Sequence, residues 1–230
     1  MSKIYLSGKN SVIDAIKNNY PIEKLIIAKG KKIEIKNNLK IEYHDYKFLN
    51  ELVQTNHQGF IAQIKEINFK NIEQLISTSE PVIILDHLQD PQNVGSILRS
   101  ANAFGYKNII IPKNRSVTIN ETVLKVSSGG FVNMNFHMSN SLISDIEKMK
   151  KAGYWIYATN LSAKSMDISK VNFDQKSVII IGNEEKGVNH TLLKNSDVEF
   201  SIETIGTVQS LNVSNASSII FYHLYNFLKK

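Results

Sequence analysis

The sequence of 230 residues predicts an α/β protein: a small N-terminal α/β module, then a doubly wound domain built on a parallel sheet. Three observations carry this prediction. Apolar runs at 82–85, 108–111, 154–158 and 178–181, with a weaker one at 198–202, alternate with stretches of helical spacing or loop composition. Buried parallel strands joined by crossovers read this way. Apolar residues make up 42% and charged residues 21%, the balance of a chain that buries a core rather than a disordered one. The charge is also uneven: residues 1–70 carry 12 Lys against 7 acids, whereas the remainder carries 15 basic against 14 acidic residues. The surplus behind the net +6 thus belongs to the first third of the chain, where it suits either a phosphate backbone or a solvated face.

Val12, Ala15 and Ile16 stand at helical spacing after Ser11, a candidate N-cap, and the pattern ends at Asn18-Asn19 before Pro21. Lys24 to Ala28 and Gly59 to Ile64 are β-rich runs flanked by turn residues, which completes a module over residues 1–67. Residues 68–80 form a connecting segment, with one short helix over Asn71 to Ser77. The strand runs of the second domain, residues 81–230, follow. Asn212 to Leu228 closes the chain as a helix, with Val213, Ala216, Ile220, Leu224 and Phe227 on one face.

Several chemistries are excluded. Cysteine is absent, so there is no disulfide, thiolate nucleophile or Cys-ligated metal. The opening MSKIYLSGKN has no apolar run of signal-peptide length and no stretch reaches membrane-spanning length, which predicts a cytoplasmic protein without membrane contact. His44, His57, His87, His137, His190 and His223 show no metal-ligand spacing, and no metal is expected. Neither a phosphate loop nor G-x-G-x-x-G follows any strand, so the fingerprint of an ordinary dinucleotide pocket is missing.

Three constellations carry the candidate chemistry. In Asp90-Pro91-Gln92-Asn93-Val94-Gly95-Ser96-Ile97-Leu98-Arg99, a strand end passes into a helix. Asn93 offers an amide at or near the N-cap and Arg99 stands about one and a half turns on. Arg99 and Arg115 are the only arginines among 27 basic residues. A chain that uses Lys for plain charge has a reason for a planar guanidinium fork, which Lys cannot reproduce at a phosphate. Arg115 lies in the loop-like Lys113-Asn114-Arg115-Ser116. The second constellation, Gly182 to Gly187, brackets a polar turn with two glycines after the strand at 178–181; it could equally be only a turn. The third, Ser210 to Ala216, gathers small polar residues where the last helix begins, as a ligand site or as a plain cap. Asp86 and Glu184 are candidate general bases whose relative placement the sequence leaves open.

Together and in this order the three motifs resemble the SpoU family of RNA ribose 2′-O-methyltransferases, among the knotted methyltransferases. The first match extends through Ala103-Phe104-Gly105, and Ser127-Ser128-Gly129-Gly130 is similar to a small-residue stretch of the family. Gly8-Lys9-Asn10-Ser11-Val12 with Ala15, and His57-Gln58-Gly59, resemble the substrate-binding domain of its rRNA guanosine branch. The resemblance implies a ribosomal-protein-like N-terminal fold, a C-terminal trefoil knot and a homodimer formed partly by the last helix. It implies 2′-O-methylation of a guanosine in large-subunit rRNA, with S-adenosylmethionine as cofactor. By motif position it implies a catalytic set of Asn93, Arg99, Glu184, Ser210 and Asn212, and a cofactor pocket around Thr159, Asn160, Ile181, Gly182, Ile202 and Leu211. Three positions depart from the family pattern: Glu203 stands for a common Pro, Glu185 for Gly, and Asn215 for a small apolar residue. A tRNA or base-nitrogen methyltransferase and a non-catalytic ribosome-assembly factor of the same fold are the rival readings.

Overall fold

The computed structural model describes residues 3–35, 38–65, 67 and 69–229. The expected join between residues 67 and 68 therefore has its second member, Asn68, outside the described residues. The N-terminal elements are β1 (Ile4–Ser7), α1 (Lys9–Lys17), β2 (Ile22–Ala28), β3 (Ile41–His44), α2 (Tyr46–Leu52) and β4 (Phe60–Ile64). The strands form one sheet in the order β1-β4-β2-β3, antiparallel except between β2 and β3. Two expectations are corrected here. Gly8, not Ser11, occupies the N-cap of α1, so Ser11 lies within its first turn. β2 begins two residues before Lys24, because Ile22 pairs with Ile64 ahead of a register irregularity.

Beyond them lie α3 (Ile72–Ile76), β5 (Val82–Leu85), α4 (Pro91–Ala103), β6 (Asn108–Pro112), α5 (Glu121–Ser127), β7 (Asn135–Ser139) and α6 (Leu142–Lys151). β8 (Trp155–Thr159), β9 (Met166–Asp167), β10 (Ser177–Ile181), α7 (His190–Lys194), β11 (Val198–Ser201) and α8 (Val213–Leu228) complete the chain. The short α3 stands on a capping box in which Asn71 and Gln74 satisfy each other's backbone. Seven strands make an all-parallel sheet in the order β7-β6-β5-β10-β8-β11-β9. β10 is central and wholly buried, and each of its aliphatic side chains contributes about 1.5–3 kcal/mol.

α8 packs on α4, where the small Ser100 and Ser218 meet at 2.8 Å. Its buried stripe is Ser217, Ile220, Phe221 and Leu224, one step around from the expected face, so that Val213, Ala216 and Phe227 are only half-buried. The two sheets are joined by a shared core and by polar contacts. Glu121 accepts from both the backbone N–H (2.8 Å) and the hydroxyl (2.7 Å) of Ser7, and the Tyr20 hydroxyl donates to the Leu124 carbonyl at 3.1 Å.

Candidate active site

The loops after β5 and β10 and the start of α8 converge at the carboxyl ends of the parallel strands, where open α/β sheets bind ligands. Asp90 caps α4 by accepting from the Gln92 N–H, and Pro91 occupies the first turn. Asn93 is therefore the third helical residue rather than the cap, and its amide is released for long-range contacts. Its Nδ2 donates to Glu184 Oε1 at 3.0 Å and its Oδ1 accepts from Asn212 Nδ2 at 3.1 Å. Asn212 is the actual N-cap of α8: its Oδ1 takes the Ser214 N–H and hydroxyl, which fixes the amide so that Nδ2 faces Asn93. One hydrogen-bond chain, Asn212 to Asn93 to Glu184, thus joins residues from all three constellations.

Asn183 continues this chain. Its Nδ2 donates to the His87 carbonyl at 2.9 Å and to Glu184 Oε2 at 3.3 Å, while its Oδ1 accepts from the N–H groups of Glu185 and Lys186. The sequence places this residue inside the second constellation without assigning it a role, although an Asn directly after Gly in a turn is a signal for such side-chain bonding. The turn is closed by reciprocal backbone bonds between Asn183 and Gly187 at 2.9 and 3.0 Å. Asp86, the other candidate base, is buried and committed: it accepts from the Asn189 N–H at 2.7 Å and pairs with the His87 ring. It supports the loops and does not enter the site.

Beside the chain lies a cavity of about 530 Å³. Thr159, Asn160, Ile181, Gly182, Ile202 and Leu211, the expected pocket residues, all line it, as do Glu184, Ser210 and Asn212. Gln209, Ala216 and Ile220 add wall beyond the expected cofactor set, the last two from α8, which no local spacing brings to the turn after β10. Thr159 ties the strands together, donating to the Ile180 carbonyl at 3.1 Å and accepting from the Gly182 N–H at 3.4 Å. Gly182 permits a close approach that no other residue would, since a Cβ there would lie 2.3 Å from the Val188 nitrogen. Of the three departures, Glu185 is in the wall, whereas Glu203 is exposed outside it and Asn215 is exposed on α8.

Arg99 is not brought to the cavity wall. It is the ninth residue of α4, just past two turns and not one and a half, because the helix begins at Pro91. Its side chain is exposed and has no ion pair or hydrogen bond among the described residues. The turn at Ser127–Gly130 lies against its backbone: a Cβ on Gly130 would sit 2.7 Å from the Arg99 Cα. The histidines do not cluster, and among the described residues no three metal-ligating side chains are grouped. His57 is internal to the N-terminal module, between Asn50 and the Gly59 N–H.

Comparison with known proteins identifies the family and the fold. The SpoU rRNA methylase family profile matches residues 80–222, and the profile for RNA 2′-O ribose methyltransferase substrate binding matches residues 5–70. A Bacillus subtilis (strain 168) protein assigned to the TrmH family of tRNA/rRNA methyltransferases is 32% identical, over 96% of this chain and 94% of that protein. Two solved structures share the fold. One is the SpoU methyltransferase AviRb of Streptomyces viridochromogenes with AdoMet (TM-score 0.78, 18% identity, 99% of this chain and 91% of that one). The other is an AdoMet-bound rRNA methyltransferase of Sinorhizobium meliloti (TM-score 0.79, 21% identity, 98% and 88%). With its parallel-sheet domain, its N-terminal module and its three joined motifs, the chain belongs to the SpoU family of RNA methyltransferases.

Proposed function

We propose that the chain transfers a methyl group from S-adenosylmethionine to a ribose 2′-hydroxyl of RNA, with a guanosine of large-subunit rRNA as target. The observation that carries this reading is the Asn212–Asn93–Glu184 chain at the rim of a cavity lined by every expected cofactor position. The cavity fits the cofactor. Its volume is that of a small-molecule site, its wall mixes Ile181, Ile202, Leu211 and Ile220 with polar groups, and its charged residues are Glu184, Glu185 and Lys186, a balance suited to a sulfonium cation. Thr159, Asn160, Ile181, Gly182, Ile202 and Leu211 would hold it. Two of the neighbouring folds were solved with AdoMet bound, which supports the assignment.

When bound, S-adenosylmethionine supplies a methyl group already activated for displacement by an oxygen. The protein's own residues then have to align the hydroxyl and manage its proton. Glu184, held through both oxygens by Asn93 and Asn183, is a fixed acceptor for a nucleoside hydroxyl or base N–H. Arg99 grips the phosphate beside the target ribose. It positions the ribose, because a guanidinium offers N–H donors in a fixed planar fork and no acceptor for the hydroxyl proton. Residues 1–67, with the lysine surplus, select the RNA; residues 68–80 link; residues 81–230 perform the transfer. The segment leading through α8 is the threaded part of a trefoil knot. The exposed Ile219, Tyr222 and Tyr225 of α8 form the homodimer contact.

The test is methyl transfer from labelled S-adenosylmethionine to bulk rRNA and tRNA, followed by nucleoside analysis. A 2′-O-methylguanosine in rRNA is expected. Label in tRNA alone or on a base would replace the target, and no transfer with intact RNA binding would establish an assembly factor.

A further inference from the structure

A second cavity, of about 470 Å³, opens at the carboxyl ends of β5, β6 and β7, along the same sheet edge as the first. His87, Lys113, Arg115, Ser139, Asn189 and Thr191 are among its walls, and no carboxylate lines it. The acids bonded to its wall residues are buried and committed: Asp86 to His87 and Asn189, Asp145 to Ser139 and His137. Lys113 and Arg115 are exposed and, among the described residues, form no ion pair and no side-chain hydrogen bond. Their loop is nevertheless anchored. The Lys113 N–H donates to the Ser139 carbonyl at 2.8 Å, and the Ser116 hydroxyl and Val117 N–H both donate to the Leu88 carbonyl. Between these anchors Arg115 is held at φ +56°, a backbone region costly for a non-glycine residue and kept only where the surroundings impose it. It is one of only two arginines in the chain.

Hydrogen bonds join the wall of one cavity to the wall of the other, although no residue lines both. The His87 carbonyl accepts from Asn183, whose same amide donates to Glu184, and the turn that carries Glu184 continues into Asn189. A bonded path thus runs from Glu184 through Asn183 to His87 in the wall of the second opening. We infer that the second cavity is a phosphate subsite for the RNA strand flanking the target, with Arg115 and Lys113 as its cations. The inference rests on the RNA-methyltransferase reading and adds to it where the substrate runs.

The test uses the full chain, a fluorescently labelled single-stranded RNA of mixed sequence, and affinity measured across salt concentrations. The variant is Lys113→Gln with Arg115→Asn, since Asn tolerates the left-handed backbone. A control replaces Lys107 and Lys151, which precede β6 and β8 at the opposite sheet edge, with Gln. Each lost single-strand contact should flatten the log–log salt slope by about 0.7, so the double variant should lose about one unit or more while the control does not. Its affinity for S-adenosylmethionine should stay within about twofold and its melting temperature within a few degrees. A parental slope, or an equal loss in the control, overturns the subsite. So does stabilisation by inorganic phosphate without any slope difference, which would assign the cavity to a free anion. Slope loss in a chain that binds no S-adenosylmethionine keeps the subsite and retires the methyl-transfer reading; cofactor binding with equal slopes does the reverse.

Discussion

Gly182→Ala tests whether the cavity depends on the close approach of its loop. The added methyl carbon would lie 2.3 Å from the Val188 nitrogen, 2.4 Å from the Gly187 carbonyl carbon and 2.9 Å from its Cα. All three are backbone atoms, so no side chain can swing away, and reaching an ordinary 3.4 Å contact requires the 183–188 segment to move by about 1 Å. That segment is closed by two backbone hydrogen bonds and anchored by buried Val188. Overpacking of this kind costs about 1–3 kcal/mol, which for a chain of this size lowers Tm by roughly 2–12 °C. Because the displaced segment is cavity wall and carries Glu184, binding of S-adenosylmethionine should fall by more than tenfold in calorimetry even where the protein stays folded. Gly206→Ala is the control, since nothing lies within 4 Å of a Cβ there and its backbone is not left-handed. Parental Tm and cofactor affinity in Gly182→Ala would show that the turn yields freely and that its geometry is not what shapes the site.

Four further substitutions have definite expected outcomes. Arg99→Lys should bind cofactor normally yet lose about 10²-fold or more in turnover, measured with labelled S-adenosylmethionine, because the planar fork is lost while the charge stays. Asn212→Ala should cost about 1 kcal/mol in denaturant unfolding for the lost cap of α8, and lower turnover further by freeing Asn93. His137 is pushed down by burial but on balance held above its ordinary value by Asp145, the Lys70 carbonyl and Glu73. Its stabilisation is thus full below about pH 6.5 and fades as pH rises through the raised native value, and His137→Gln should flatten that fall in Tm. Ile219→Glu with Tyr222→Glu should give monomers in light scattering if the exposed face of α8 joins two copies, and an unchanged mass would place the contact elsewhere.

The parallel strands were legible because β5, β6 and β10 are buried on both faces and so read as unbroken aliphatic runs. The elements that escaped reading lack that signal for identifiable reasons. β7 is Asn135-Phe136-His137-Met138-Ser139 at a sheet edge, with only Phe136 and Ser139 buried, and its polar residues are satisfied by tertiary contacts such as His137 with Asp145. β3 is likewise an edge strand, partly exposed, and β9 has two residues. β1 and α2 gain their order from partners far along the chain, β4 for the first and β2 for the second. The start of α1 was misplaced because Ser11 looks like a cap, whereas the Gly8 N–H bonds to the Phe60 carbonyl and the Lys9 N–H to Gln58, both some fifty residues away.

The site was legible residue by residue but not as an arrangement. Motif position named Asn93, Glu184 and Asn212; the first is 91 residues from the second and 119 from the third, and only the fold shows that it is bonded to both. The Ser127–Gly130 stretch makes the same point more sharply. Gly130 lies on the backbone of Arg99, and Gly129 lies on Asn18 at the end of α1, where a Cβ would come within 2.8 Å of the Asn18 Cβ. One four-residue turn therefore touches the N-terminal module on one side and the helix segment that carries Arg99 on the other. Larger residues at 129 or 130 would push these apart, which gives the small residues a physical reason that spacing alone does not contain. Glu121 and Lys125, on the helix leading into this turn, hold Ser7 of the same module, so the turn has no freedom to absorb a displacement from either side. Arg99 is thereby placed relative to the proposed RNA-selecting module by backbone packing, while its own side chain is exposed and, among the described residues, makes no hydrogen bond or ion pair.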